Sequence, residues 1–204
     1  MTGIVVFASG KGTTLQAIID AVREHRISAP ISAVISDHEN SGAIERARMA
    51  GIKTVFMDPS LGNERFYAGI MQELARINPE IIVLAGFMRI IPTEILLNFR
   101  APVINLHPSL LPCFGGKGMY GMHVHSKVIE SGARYSGCTV HFVTPDVDAG
   151  PIIVQKVVEV LDNDTPESLA DRIRPLEHEA VVEAIQLVLS KNYTISGKRV
   201  IRKG

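Results

Sequence analysis

The stretch that decides the fold class is residues 81–85, Ile81-Ile82-Val83-Leu84-Ala85. Successive side chains of a strand point to opposite faces, so an uninterrupted apolar run predicts a strand that is buried on both sides. Residues 4–8, Ile4-Val5-Val6-Phe7-Ala8, have the same character. Strands of this kind are typical of parallel sheets covered by helices, and we therefore predict such a sheet.

Short apolar runs alternate with amphipathic stretches along the rest of the chain. The first helix is predicted from apolar residues at helical spacing, Leu15, Ile18, Ile19 and Val22. Further strands are predicted at residues 31–36, 54–57, 102–106, 138–144 and 152–160. Further helices are predicted at about 42–50, 63–77, 93–99, 125–131 and 166–189, the last capped by Asp164 or Thr165. The alternation predicts one α/β domain over residues 1–204, with a mostly parallel, Rossmann-like open sheet and helices on both faces.

Composition and charge exclude several classes of protein. The 21 basic residues balance the 21 acidic ones, so no overall field attracts nucleic acid or an anionic membrane. Cys113 and Cys138 form neither a disulfide framework nor a zinc motif, which is usual in a reducing compartment. We find no targeting signal and no apolar run of about 20 residues. We expect a cytoplasmic protein without nucleic-acid or membrane partners, and a solvated basic tail at Lys198, Arg199, Arg202 and Lys203.

A glycine-containing turn follows the first predicted strand, at Ser9-Gly10-Lys11-Gly12-Thr13-Thr14. Glycines let backbone N–H groups converge, and the following helix adds the positive end of its dipole, so the turn favours a phosphate. It is not a P-loop, because Val5 stands where the first glycine belongs, and Leu15 replaces the third glycine of a dinucleotide site. The predicted phosphate-binding residues are Gly10, Lys11, Gly12, Thr13 and Thr14, with Thr13 also suited to cap the helix. A plain strand-to-helix turn is the alternative.

Polar residues cluster at the end of the strand predicted at 102–106, in Asn105-Leu106-His107-Pro108-Ser109-Leu110-Leu111-Pro112. Asn105 and His107 are two residues apart and share one face if the strand extends that far. In open α/β sheets, ligands bind beyond the carboxyl ends of the strands. An asparagine can donate to a developing oxyanion, and a histidine exchanges a proton near neutral pH. A buried structural histidine is the alternative for His107.

Acidic residues follow a second strand, in Thr144-Pro145-Asp146-Val147-Asp148-Ala149-Gly150-Pro151. Asp146 is expected to be a turn residue, and spacing alone leaves the same interpretation open for Asp148. His123 and His125, with His107 and Asp148, could imitate a zinc site. They lie at a predicted helix start, where residues two apart do not share a face, so we predict no metal.

The run Asn105–Pro112, followed by His141-Phe142-Val143 and Asp148–Pro151, resembles the folate-dependent formyltransferase family. The resemblance extends from Ile4 to about Leu189 and implies the formyltransferase fold, with a phosphate-binding half of about 1–100 and a catalytic, folate-binding half of about 101–190. It implies formyl transfer from 10-formyltetrahydrofolate, a co-substrate, to an amine, without a metal.

The opening turn resembles that of the purine-pathway branch of the family. Two other branches carry an RNA-binding or a regulatory domain, for which we expect no room in this sequence. The acceptor in this branch is 5'-phosphoribosylglycinamide (glycinamide ribonucleotide). Hydrolysis of formyl-folate, formylation of another amine, and a non-enzymatic nucleotide-binding module are the alternatives. The resemblance implies small-molecule partners only, in a monomer or homodimer.

The resemblance also implies roles for individual residues. Asn105 and a protonated His107 would stabilise the oxyanion, while Asp148 would raise the pKa of His107 and help relay a proton. The implied folate-binding residues are Phe87, Met88, Arg89, Ile90, Ile91, Val143 and Thr144. Arg174 and Glu177 would contact the substrate's phosphate and ribose.

His141 and Ser109 are expected to support the site, and the sequence leaves open whether His141 is catalytic. The glycine-rich loop at 113–122 departs from the commoner pattern of the family, since many members are shorter between Phe114 and Gly121. Lys11 is a smaller departure, at a position where asparagine is frequent.

Overall fold

The computed structural model describes residues 3–203. These residues divide into two compact units, with the division between Ile104 and Asn105. That the halves at about 1–100 and 101–190 bind phosphate and perform catalysis, respectively, stays a prediction. No helix within the described residues has the length and apolar character needed to cross a membrane.

The first unit alternates strands and helices. Its elements are β1 (Ile4–Phe7), α1 (Thr13–Arg23), β2 (Ile31–Ser36), α2 (Gly42–Met49), β3 (Thr54–Phe56), a 3₁₀ turn (Pro59–Leu61), α3 (Asn63–Ile77), β4 (Ile81–Leu84) and α4 (Thr93–Asn98). The strand order is β3-β2-β1-β4, and every pairing is parallel. Each residue of β1 and β4 is buried, as the continuous apolar runs predict.

Strand β5 (Val103–His107) begins at the end of the first unit and continues into the second. The second unit then contains α5 (Met122–Glu130), β6 (Tyr135–Phe142), β7 (Ile152–Glu159), α6 (Pro166–Ser190), β8 (Tyr193–Ser196) and β9 (Arg199–Arg202). Strands β6 and β7 are antiparallel, β7 and β9 parallel, and β9 and β8 antiparallel. Helix α6 packs on β6 and β7, and α5 packs on α6.

The two helices expected to have caps begin differently. Thr165 caps α6 by accepting a hydrogen bond from the backbone N–H of Ser168, whose hydroxyl accepts one in return, so the predicted cap is confirmed. The predicted cap of α1 is wrong, because Gly12 is the N-cap and Thr13 is the first helical residue. Gly12 has a left-handed φ of 72°, and a Cβ there would lie 2.6 Å from the Cα of Ala43.

The predicted α/β class with a mostly parallel sheet is confirmed. Two elements differ from their predicted bounds by more than one residue, since α5 begins at Met122 rather than near His125, and β6 occupies residues 135–142 rather than 138–144. The hairpin of β8 and β9 was not predicted, because its residues are mostly exposed and have no buried apolar face. It carries the predicted solvated basic tail, in which Arg202 pairs with Glu183 at 2.6 Å.

Candidate active site

The predicted phosphate turn lies between β1 and α1 of the first unit. Its left-handed Gly12 leads directly into the N-terminus of α1, whose first N–H groups have no partner within the helix. A cleft of about 680 Å³ opens here, lined by Ser9, Gly10, Lys11, Thr13, His38, Glu39, Asn40, Ser41, Gly42 and Arg46. Arg46 donates to the carbonyl oxygen of Lys11 at 3.0 Å, which brings a second cation to the turn. The geometry suits an anion.

A buried carboxylate, Asp37, lies beside this turn and was missed in the sequence. It accepts from His38 Nδ1 at 2.9 Å and from Arg89 Nε at 3.3 Å. Burial alone would raise the pKa of Asp37, but hydrogen bonds from Ser9 and His38 and the charge of His38 lower it overall. The hydroxyl of Ser9 also accepts from the N–H of Met88 at 3.2 Å. Asp37 directly follows β2, at the carboxyl end of a strand, and this position was the signal in the sequence that could have identified it.

The segment 87–91, implied to line the folate pocket, follows β4. Phe87 and Ile91 are buried, whereas Met88 and Ile90 expose more than half of their surface. The guanidinium of Arg89 lies 4.7 Å from the ring centre of Phe66 and is paired with Asp37, so this side chain has partners inside the unit. Met88 and Ile90 are therefore the most exposed side chains of the segment.

Four polar side chains converge in the second unit. Strand β5 supplies Asn105 and His107, β6 supplies His141, and the turn after β6 supplies Asp148. His107 Nδ1 lies 3.5 Å from Asp148 Oδ2, and His141 Nε2 lies 3.6 Å from Asp148 Oδ1. Asn105 Nδ2 lies 3.2 Å from His141 Nε2. The cluster therefore combines an amide, two imidazoles and one carboxylate.

The loop after β5 contacts the same groups through its backbone. His107 Nε2 donates to the carbonyl oxygen of Phe114 at 2.9 Å, and the N–H of Gly116 donates to Asp148 Oδ2 at 2.9 Å. The hydroxyl of Ser109 donates to the carbonyl oxygen of Cys113 at 2.7 Å, so Ser109 orders the loop. Backbone contacts of this kind have no side-chain signature, and only the unusual length of the loop pointed to it.

The hydrogen-bond partners of His141 show which nitrogen of its neutral ring carries the proton. Its Nδ1 lies 2.9 Å from the carbonyl oxygen of Phe142, which can only accept, so Nδ1 carries a proton. In the neutral ring, Nε2 then accepts from one N–H of Asn105, and the second N–H of that amide stays available. His141 is thus placed to orient Asn105.

The expected charge state of His107 needs correction. Its side chain is only 4 % exposed, and this burial lowers its pKa more than the charge of Asp148 and the carbonyl of Phe114 raise it. The expected imidazolium near neutral pH is therefore not the resting form. Burial alone would raise the pKa of Asp148, but hydrogen bonds from His141 and the Gly116 N–H, with the charges of both histidines, lower it overall.

The remaining predicted site residues lie elsewhere in the second unit. Val143 and Thr144 directly follow β6 and are half-buried. Arg174 is exposed on α6 and pairs with Asp171 at 2.7 Å. Glu177, one turn further, is half-buried, and burial raises its pKa to about 7 despite the nearby charge of Arg174.

The two histidines considered as metal ligands lie in different environments. His123 is exposed, whereas His125 is buried and its Nδ1 has no hydrogen-bond partner. Within residues 3–203, no three histidine, cysteine, aspartate or glutamate side chains are grouped as metal ligands.

The sequence of the chain matches a known family and several of its members. Residues 2–185 match the family model described as formyl transferase. The chain is 37 % identical over 185 residues to the chloroplastic phosphoribosylglycinamide formyltransferase of Vigna unguiculata, an alignment that covers 90 % of this chain and 59 % of the plant protein. It therefore spans about three fifths of that relative. The Escherichia coli phosphoribosylglycinamide formyltransferase is 37 % identical over 177 residues, which cover 86 % of this chain and 81 % of that protein.

A solved structure is similar along the whole chain. The crystal structure of glycinamide ribonucleotide transformylase 1 from Symbiobacterium toebii superposes with a TM-score of 0.93 at 41 % identity. The alignment covers 100 % of this chain and 95 % of that one. Because the family model matches well over half of its residues, the chain belongs to the formyl transferase family.

Proposed function

We propose that this protein transfers the formyl group of 10-formyltetrahydrofolate to the amine of 5'-phosphoribosylglycinamide, a step of de novo purine biosynthesis. The observation that carries the proposal is the convergence of Asn105, His107 and Asp148 in one partly buried cluster. The names of the relatives support formyl transfer and the choice of acceptor, whereas the choice of donor rests on the resemblance to the folate-dependent family.

In this mechanism, His107 is the proton carrier. Phe114 binds the proton on Nε2, so Nδ1 of the neutral ring has a free lone pair that faces Asp148. The acceptor amine attacks the formyl carbon, and Nδ1 takes a proton from the attacking nitrogen. The resulting imidazolium is stabilised by the carboxylate 3.5 Å away and passes a proton to the folate nitrogen as the tetrahedral intermediate breaks down.

Asn105 supplies the hydrogen bond to the oxyanion. One N–H of its amide is bound to His141, and the other is free to donate to the oxygen of the tetrahedral intermediate. His141 acts as a positioning residue in this scheme. No covalent intermediate is required, and burial raises the pKa of the Cys138 thiol to about 12, which makes it a poor nucleophile.

Substrate-binding groups are proposed within each unit taken by itself. The phosphate would bind the turn formed by Gly10, Lys11, Gly12, Thr13 and Thr14, beside the N-terminus of α1. Within the second unit, Arg174 is proposed to bind a phosphate oxygen and Glu177 to accept from ribose hydroxyls. Within the first unit, the proposed folate contacts are residues 87–91, through exposed Met88 and Ile90 and through backbone groups. Within the second unit, the proposed folate contacts are Val143 and Thr144.

A spectroscopic formyl-transfer assay tests the proposal. Purified protein is mixed with 10-formyltetrahydrofolate, with and without 5'-phosphoribosylglycinamide, and release of tetrahydrofolate is followed. We expect release only when the amine is present. Equal release without the amine would instead identify a hydrolase, and release that required a different amine would overturn the assigned acceptor.

A further inference from the structure

A short segment of the loop that follows β5, the Phe114–Gly116 turn, contacts both members of the His107–Asp148 pair. The Phe114 carbonyl accepts from His107 Nε2, and the Gly116 N–H donates to Asp148 Oδ2, each at 2.9 Å. Asp148 Oδ2 is also the oxygen that faces His107 Nδ1 at 3.5 Å. One short backbone segment therefore touches both ends of the pair.

The turn is closely packed against Asp148. A Cβ added to Gly115 would lie 3.2 Å from the Cβ of Asp148 and would collide with the side chain of Leu111. Gly116 has a φ of 96°, which L side chains rarely adopt. The hydroxyl of Ser109 fixes the preceding peptide by donating to the Cys113 carbonyl at 2.7 Å. The approach of this backbone to the carboxylate thus requires the two glycines.

Because a carbonyl oxygen only accepts, the contact with Phe114 requires a proton on His107 Nε2. Without that carbonyl, the carboxylate beside Nδ1 would favour the other neutral tautomer, with the proton on Nδ1. That tautomer has no lone pair facing Asp148 and cannot accept a proton there. The N–H of Gly116 fixes the position of Asp148 Oδ2, the oxygen that faces His107 Nδ1.

We infer that the Phe114–Gly116 turn is a positioning element that selects the proton-accepting tautomer of His107 and holds Asp148 beside it. The inference rests on the proposed function for its effect on turnover, but the tautomer itself is measurable without any substrate.

A matched pair of variants separates the contact from general loop strain. Gly116 and Gly118 have similar positive φ angles, 96° and 87°, and a Cβ at either would meet no atom within 4 Å. Gly116→Ala and Gly118→Ala therefore impose similar backbone strain, but only Gly116 donates to Asp148. We expect Gly116→Ala to lower kcat at least about tenfold, since displacements near 1 Å cost up to about 100-fold, while Gly118→Ala lowers it less than about twofold. Gly115→Ala, which pushes the turn away from Asp148, is expected to behave like Gly116→Ala.

The second measurement is the tautomer of His107 from ¹⁵N chemical shifts of the imidazole, assigned with a His107→Gln variant. In the wild type, the neutral ring is expected to carry its proton on Nε2. In Gly116→Ala the Nδ1-protonated form is expected to increase, and in Gly118→Ala it is expected not to.

Equal losses of kcat in Gly116→Ala and Gly118→Ala would overturn the inference, as would a wild-type ring protonated on Nδ1. The wild-type tautomer is read from the unaltered protein, and the His107→Gln variant serves only to assign its signal. A wild type that transfers no formyl group, yet shows the Nε2 tautomer, would contradict the proposed function and leave the positioning inference supported.

Discussion

Asp37 in the first unit and Asp148 in the second are both largely buried aspartates beside nitrogen donors, and they differ in how completely those donors bind them. The Asp37 side chain is 5 % exposed and lies 2.9 Å from His38 Nδ1 and 3.3 Å from Arg89 Nε. The Asp148 side chain is 10 % exposed, but its two histidine nitrogens lie at 3.5 and 3.6 Å, beyond good hydrogen-bond length. The N–H of Gly116 lies nearer to it than either histidine nitrogen, at 2.9 Å.

The comparison distinguishes a structural carboxylate from a candidate catalytic one at almost equal burial. Asp37 accepts hydrogen bonds from groups of the first unit, and so connects Ser9, in the turn after β1, with Arg89. Asp148 retains acceptor capacity beside a proton-carrying ring. Incomplete pairing at a buried charge is costly and is therefore expected where a substrate or a transferred proton completes it.

The largest expected effect lies on the Asp148 side of the comparison. We expect His107→Ala to reduce kcat by about 10²–10⁴, because it removes the group that carries the proton. Affinity for the folate, measured by fluorescence titration, should change only a few fold. His123→Ala, at an exposed histidine of α5, is the control and should retain wild-type turnover. A large loss of folate affinity in a folded His107→Ala protein would contradict the assigned role.

Asp148→Asn is expected to reduce kcat by roughly 100-fold, since the imidazolium loses its neighbouring charge. The acidic limb of the pH profile of kcat/KM shows in which direction the pKa of His107 changes. His107 must be neutral to accept a proton, so activity is present above its pKa and is lost as pH falls through that value, below the usual 6.5. Because Asp148 raises the pKa of His107, its removal should shift the limb to lower pH. A shift to higher pH would break the assignment.

Binding of the phosphate should be separable from the chemistry. Thr13→Ala combined with Arg174→Ala is expected to raise KM for the phosphorylated amine about tenfold, with kcat nearly unchanged, because these groups bind ground and transition states alike. KM for the formyl-folate should stay within about twofold of the wild type. Steady-state kinetics with each substrate varied in turn provide the measurement. An unchanged KM for the amine would remove the turn and Arg174 from the phosphate site.

The strands of the first unit were predictable because continuous apolar runs read directly as doubly buried strands. Asn105 and His107 were predictable as a pair because strand side chains alternate with a period of two. The approach of Asp148 was not encoded in local spacing, and only the resemblance to a family suggested it. The prediction that the pKa of His107 is raised was wrong, because burial lowers it, and burial depends on packing that one segment does not reveal.

The smallest effect on activity is expected at Asp37. Asp37→Asn keeps the size of the side chain but removes the charge that pairs with Arg89 and His38. We expect it to lower the free energy of unfolding by about 1–3 kcal/mol at pH 7, measured by urea denaturation, while kcat stays within about threefold.

The pH dependence of this difference follows from the lowered pKa of Asp37. The stabilisation is present above the unfolded value near 3.8 and is lost as pH falls through the folded pKa, so wild type and variant should converge in acid. Asp58→Asn is the control, because Asp58 is an exposed carboxylate that bonds only the local Ser60, and its urea midpoint should not change. A tenfold loss of kcat in Asp37→Asn, with stability unchanged, would show that both aspartates serve the chemistry and would end the distinction between them.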